Sequence, residues 1–208
     1  MIPTKIDNRN STDISDAYQM PNSIWIDVRC PREFSKGHFT KAINIPLFSD
    51  SQHEKIGQTY KEIGQKSATE MGFKYASKSS ISILKQISNL NLENIIIYCA
   101  RGGMRSKGFQ LLLDNAGHHS FRINKGYKSI RAHTLSSYKS KRKIVIIAGS
   151  TGTGKTNLLH QMKKDGHNVI DLEYLANHRG SAFGDLGLSK QSTQQQFEND
   201  LSSCWLDT

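Results

Sequence analysis

The apolar run Ile95-Ile96-Ile97-Tyr98 passes without a break into Cys99-Ala100-Arg101-Gly102-Gly103-Met104-Arg105-Ser106. A short, uninterrupted run of large apolar residues reads as a buried strand. Gly102 and Gly103 then make a turn, and Phe109, Leu111, Leu112 and Leu113 mark a helix that ends near Gly117. This order puts Cys99 at the mouth of a strand and before a helix N-terminus. Aligned backbone N–H groups, with the fixed charges of Arg101 and Arg105, favour the thiolate there, and the thiolate is the nucleophilic form of cysteine. The plainer reading is a cysteine buried at a strand end beside a solvated arginine. The glycines and both arginines fall within one turn of the sulfur, which favours the reactive reading.

The rest of the first 130 or so residues fits an α/β pattern. Ser23 to Arg29 predicts a buried strand, broken by Pro31. Glu33 to His38 predicts a helical turn closed by Gly37, and Ala42 to Leu47 a further strand stopped by Pro46. Asp50 to Lys78 is polar and predicts helix and loop without a legible function. Ile81, Ile83, Leu84, Ile87 and Leu90 recur at helical spacing and predict a helix ahead of the strand Asn94 to Tyr98. Strands that alternate with helices imply a mainly parallel sheet flanked by helices.

Composition narrows the functional classes. The chain has 208 residues, with 28 Lys and Arg against 18 Asp and Glu, a formal charge of +10. That balance favours a polyanionic partner, RNA or a phosphorylated small molecule. Three widely spaced cysteines, Cys30, Cys99 and Cys204, form neither a disulfide framework nor a zinc pattern. Cys30 and Cys204 lack a Gly/Arg loop and read as structural or incidental. No signal segment and no bilayer-length apolar window is present, so no membrane is expected and the expected compartment is the cytoplasm.

A second loop follows a change in composition. Tyr138 to Lys143 is strongly basic and reads either as a solvated linker or as a nucleic-acid contact. It gives way to Ile144-Val145-Ile146-Ile147-Ala148, expected to be a strand. The expected division is therefore 1–137, a basic linker 138–143, and 144–208. Gly149-Ser150-Thr151-Gly152-Thr153-Gly154-Lys155-Thr156 matches the eight-position phosphate-binding loop at every position, ahead of a helix from Asn157 to Met162. Its glycines let backbone N–H groups face phosphate oxygens. Lys155 adds a point charge, and the Thr156 hydroxyl can hold magnesium. A further strand is expected at Asn168 to Leu172. It ends in Asp171 and Glu173, whose place near the phosphate or at the surface is left open. His178-Arg179, beside Gly180, reads equally as a phosphate contact or as an ordinary glycine loop.

Asp27-Val28-Arg29, Gly37-His38, Ala42-Ile43-Asn44-Ile45-Pro46 and the Cys99 loop together resemble the rhodanese domain, a sulfurtransferase fold whose cysteine carries a persulfide. Joined to a phosphate loop and to the segment from Asp171 to Gly184, with Tyr60 to Gly64 and Gly126-Tyr127-Lys128, they resemble the tRNA 2-selenouridine synthase family. The resemblance implies replacement of sulfur by selenium in the wobble 2-thiouridine of tRNA, through a geranylated intermediate. Selenophosphate and geranyl diphosphate would be the co-substrates. It makes Cys99 the chalcogen-handling nucleophile, with Arg101, Gly102, Gly103 and Arg105 around it. Gly149, Gly152, Gly154, Lys155 and Thr156 would bind a diphosphate, of the prenyl donor or of a nucleotide. The partners implied are tRNA, held through its phosphates and a splayed-out base, and a selenophosphate-supplying enzyme. No metal ligand set is implied. Family members continue well past the position of Thr208. An incomplete phosphate-loop domain with exposed apolar surface, and weak or no activity on tRNA, is therefore expected of these 208 residues.

Three other chemistries fit parts of the pattern. Five residues separate Cys99 from Arg105, with Ser106 next, which is also the loop of cysteine-dependent phosphatases. A free-standing thiosulfate sulfurtransferase and a phosphate-loop kinase are the others, and an RNA-binding module without chemistry fits the charge. His38 is expected to order the turn before Ala42 rather than to act as a base.

Overall fold

The computed structural model describes residues 10–90, 94–150, 152–178 and 191–207, and it divides into two compact units, Met1–Arg131 and Ala132–Thr208. In chain order the elements are β1 (Ser11–Thr12), α1 (Ile14–Tyr18), β2 (Ser23–Asp27), α2 (Pro31–Lys36), β3 (Ala42–Asn44), α3 (Asp50–Glu62) and α4 (Gln65–Ser88). There follow β4 (Asn94–Tyr98), α5 (Met104–Asn115), β5 (Ser120–Ile123), α6 (Tyr127–Ser137), α7 (Lys155–Lys164), α8 (Leu172–Ala176) and α9 (Gln194–Asp207).

The first unit is built on a five-stranded sheet of order β1-β5-β4-β2-β3, in which every pair is parallel. β4 lies at its centre, which is why its sequence is apolar from Ile95 to Tyr98: helices cover both faces of a parallel sheet. Successive side chains leave opposite faces. Ile95, Ile97 and Cys99 join Ile26, Val28, Phe109 and Leu113 on one side, whereas Ile96 and Tyr98 join Trp25, Phe39, Ile123 and Tyr127 on the other. The chain thus leaves β4 with the Cys99 side chain aimed at α5.

Boundaries differ from the sequence expectations in physically simple ways. The turn placed at Glu33 to His38 is α2, which starts earlier because Pro31 occupies its first position and Glu33 caps it. The strand placed at Ala42 to Leu47 is regular only as far as Asn44, although the Ile45 and Leu47 N–H groups still donate to the Asp27 and Val28 carbonyls, and the stretch to Ser88 forms two long helices rather than helix and loop. α3 opens with a capping box of Ser49 and Gln52. β1, α1, β5 and α6 have no counterpart among those expectations; β1 is two residues long and the apolar pattern of β5 is broken by Ser120 and Arg122.

The second unit departs further. Residues 141–150 are irregular, with Val145 88 % and Ile146 83 % exposed, so the strand expected at Ile144 to Ala148 is not formed. Asn168 to Leu172 is likewise not a strand: Asp171 caps α8, accepting the Tyr174 N–H at 3.0 Å, and Leu172 begins that helix. A strand needs a neighbour for its N–H and C=O groups, and the second unit contains no strand among its described residues. Its described contacts are polar and aromatic. The Tyr138 hydroxyl donates to the Glu198 carbonyl, the Ser137 and Ser202 hydroxyls meet at 3.0 Å, and the Trp205 indole N–H donates to Ser140 at 3.1 Å. No helix among the described residues is long and apolar enough to cross a membrane.

Candidate active site

Cys99 is 3 % exposed and sits between the end of β4 and the start of α5. Its carbonyl accepts the Tyr127 N–H at 2.8 Å, and the next carbonyl, of Ala100, accepts the Lys128 N–H at 3.1 Å. Its Sγ lies 3.2 Å from the Ser106 hydroxyl, which donates to the Gly103 carbonyl at 3.1 Å. Loop and helix are thereby tied together at the sulfur.

Two glycines make this geometry feasible. Gly102 has φ +65°, in the left-handed region, and a Cβ there would stand 3.0 Å from the Lys125 nitrogen and 3.1 Å from the Ile123 carbonyl oxygen. Gly126, at φ +56°, is more constrained, since a Cβ would fall 2.2 Å from the Cys99 carbonyl oxygen and 2.5 Å from the Gly102 nitrogen. The turn after β5 is therefore the floor of the Cys99 loop. Sequence reasoning quoted Gly126 only within a resemblance; the lysine and glycine that follow the short strand Ser120 to Ile123 were its turn signal.

The two arginines of the loop behave differently. Arg101 is exposed. Arg105 is turned onto Glu33 of α2, with Nη1 at 2.5 Å from Oε2 and Nη2 at 3.2 Å from Oε1. Burial alone would raise the Glu33 pKa, but the hydrogen bonds and charge of Arg105 outweigh it and hold the carboxyl down to about 2. The same Oε2 also accepts the Cys30 N–H at 3.2 Å and its Sγ–H at 3.3 Å, and His53 Nε2 stands 3.8 Å away. Burial, reinforced by the hydrogen bonds of Asp50 and Glu33, pushes the Cys30 thiol up to about 11. Burial and the Arg105 charge push the His53 imidazole below its ordinary value. The donor atoms of Cys30, Glu33 and His53 lie within 4.8 Å of one another, but Glu33 commits both oxygens to Arg105. Glu33 escaped the sequence reading because 72 positions separate it from Arg105.

Asp27 and Arg29 support the site from beneath. They form a buried ion pair at 2.6 Å; Arg29 also donates to the Gly37 carbonyl at 2.8 Å and its Cζ lies 3.8 Å from the Tyr127 ring centroid. His38 Nδ1 lies 3.0 Å from the Phe34 carbonyl and its ring stacks on Phe34 at 3.6 Å, which closes the end of α2.

The phosphate loop, in the second unit, is open. Gly152 and Gly154 have φ +84° and +83°, and Gly154 caps α7. Lys155 Nζ folds back to donate to the Gly149 and Ser150 carbonyls at 2.8 and 2.9 Å. Gly152, Gly154, Lys155 and Thr156 line a cavity of about 560 Å³ with Asp171, Glu173 and His178. The carboxylates left open by the sequence therefore face the same cavity as the loop. Thr151, and Arg179 with the residues after it to 190, lie outside the described residues.

Comparison with known proteins follows this division. Residues 11–133 match the rhodanese-like domain, and residues 142–208 match the tRNA 2-selenouridine synthase AAA domain. Curated tRNA 2-selenouridine synthases of Shewanella frigidimarina and Nitrosomonas europaea are each 39 % identical, over 88 % and 85 % of this chain. The alignments take in 50 % and 47 % of those proteins, so the chain spans about half the length of the curated relatives it matches. A crystallised N-terminal domain of a Clostridium difficile 630 protein, described as a candidate ATP/GTP-binding protein, is 38 % identical with a TM-score of 0.58; the match covers 60 % of this chain and 98 % of that one. With one family model across more than half its residues, around the sheet that presents Cys99, the chain belongs to the rhodanese-like domain family, and over both its parts it is similar to tRNA 2-selenouridine synthases.

Proposed function

We propose that this chain carries the chalcogen-handling centre of a cytoplasmic tRNA 2-selenouridine synthase. The observation that carries the reading is the seat of Cys99: a sulfur at the N-terminus of α5, on a loop braced by two glycine turns, in a chain similar over both its parts to enzymes of that name. The Cys99 thiolate attacks the outer sulfur of a sulfane-level donor such as thiosulfate; the Sγ–S bond forms, and sulfite departs with the electrons of the S–S bond that breaks. Selenophosphate is the proposed selenium source for the base: its selenide-level selenium bonds to C2 of the geranylated thiouridine, geranylthiolate leaves with the C–S electrons, and water then takes the phosphoryl group as phosphate. The phosphate loop of residues 144–208, with Gly149, Gly152, Gly154, Lys155 and Thr156, is proposed to hold the diphosphate of the prenyl donor, geranyl diphosphate, for which a geranylated thiouridine is the intermediate. The formal charge of +10 suits tRNA as the polyanionic partner, and a selenophosphate-supplying enzyme is a further proposed partner.

The phosphatase reading requires Arg105 to grip phosphate oxygens. Arg105 grips Glu33 instead, and a carboxylate at that place repels a phosphate dianion. Nucleoside mass spectrometry of tRNA tests the proposal, using cells that lack their own selenouridine-forming enzyme and express this chain. For a chain that spans about half the length of its relatives, 2-selenouridine is expected at a low level at most, and what forms is expected to be lost with either Cys99→Ser or Lys155→Ala. Selenouridine that survives Cys99→Ser would remove the nucleophile from the scheme.

A further inference from the structure

Arg122 is 4 % exposed, and its Nη1 has no hydrogen-bond partner. No carboxylate pairs with it among the described residues. That nitrogen has lost its water and gained no protein partner, an arrangement that costs stability unless an anion stands nearby. The sheet register brings one ionisable group to the same face. Arg122 stands opposite Ile97 in the parallel register of β5 and β4, so both side chains leave the same face. Cys99, two residues beyond Ile97, leaves by that face as well, whereas Ile123 points to the other. α5 packs on the Cys99 side through Phe109 and Leu113. Burial pushes the Arg122 guanidinium below its ordinary value, and the charge of Cys99 acts in the opposite direction.

The other charged groups around the sulfur are already engaged or far into solvent. Arg105 of α5 feels the Cys99 charge but is neutralised by Glu33 of α2. Cys30 and His53, the latter from α3, adjoin that same carboxylate. Arg101 is exposed. Arg122 is the buried cation on this face with no acid of its own among the described residues.

We infer that Arg122 is a positioning residue that supplies the buried counter-charge for the anionic sulfur of Cys99, an assignment that rests on the reading of Cys99 as the reacting thiolate. It holds the charge from the sheet side, opposite the helix N-terminus, and so leaves the outer face of the loop to the donor. A residue kept only for packing would behave differently on replacement. Replacing the guanidinium by an apolar side chain of similar length removes its desolvation cost together with its pairing to the sulfur, so the change is expected in the reactivity of the sulfur rather than in stability.

The ultraviolet absorbance of the Cys99 thiolate against pH, taken as the difference between each chain and its Cys99→Ser counterpart, separates the two. Arg122→Met is expected to move the midpoint up by about one pH unit without lowering the urea midpoint of unfolding. Arg122→Lys is expected to stay close to the parent profile. Arg122→Gln, which keeps a polar side chain without the charge, is expected to repeat the shift and serves should the methionine variant fail to fold. An unshifted profile in folded Arg122→Met or Arg122→Gln overturns the inference and leaves the nucleophile reading intact. A parent chain with no Cys99 thiolate at neutral pH overturns both.

Discussion

The molecule contains two loops made of the same materials, glycine, a cation and a helix N-terminus, and they differ in how firmly the rest of the chain holds them. The Cys99 loop leaves the central strand of a covered sheet and is pinned by the Tyr127 and Lys128 N–H groups. The phosphate loop follows an exposed, irregular stretch, and its lysine is hydrogen-bonded to the loop's own carbonyls. A motif therefore specifies a local cradle, but only packing against neighbouring elements makes that cradle rigid. The thiolate proposed at Cys99 needs rigidity, because a fixed charge stabilises an anion only at a fixed distance.

The largest expected effect that separates the loops comes from glycine. Gly126→Ala drives a methyl group into the Cys99 carbonyl at 2.2 Å; it should destabilise the first unit by about 3 kcal/mol or more, read from urea unfolding. Gly152→Ala is the matched control. It has the same kind of positive φ but no described atom within 4 Å of the new Cβ, so only the left-handed backbone cost of about 1 kcal/mol is expected. Equal losses at the two positions would dissolve the distinction between the loops.

Next comes the ion pair behind the Cys99 loop. Arg105→Ala strips the counter-charge from a partly buried carboxylate and should cost about 2 kcal/mol at pH 7. The pH dependence has a definite sign. Glu33 is held at about 2 against an ordinary 4.5, so its contribution is complete above pH 4.5 and is lost as pH falls toward about 2. Glu33→Gln should flatten stability against pH across that interval, while neutral-pH stability drops. A Glu33→Gln chain with an unchanged acid limb would remove the pair from the account.

The smallest stability effect belongs to Lys155→Ala, within about 0.5 kcal/mol, because the side chain is only half-buried and its hydrogen bonds go to its own loop. Binding should nevertheless suffer. Titration calorimetry with inorganic pyrophosphate is expected to show at least about a tenfold loss of affinity in Lys155→Ala, and unchanged affinity would move the diphosphate site elsewhere.

How much of this was legible in the sequence depended on range. Asn94 to Tyr98 was readable because burial on both faces leaves a run of apolar residues, and the helix after Gly103 because its start is a glycine turn. The chemistry-bearing residues of both loops were readable for the same reason: their spacing is local. What organises them was not. Glu33 meets Arg105 across 72 positions, and Gly126 and Arg122 reach Cys99 only because β5 pairs with β4. Ile144 to Ala148 failed as a strand for the converse reason, since its composition suits a ladder but no described neighbour offers one. Sheet pairing is the information a single sequence carries least directly.

The most direct test of the account is the intact mass of the chain after exposure to thiosulfate, whose outer sulfur can pass to a thiolate while sulfite leaves with the bonding electrons. The account expects a gain of one sulfur atom that Lys155→Ala retains and Cys99→Ser abolishes. An unmodified parent chain, or an adduct that persists in Cys99→Ser, would contradict the assignment of Cys99 as the chalcogen centre.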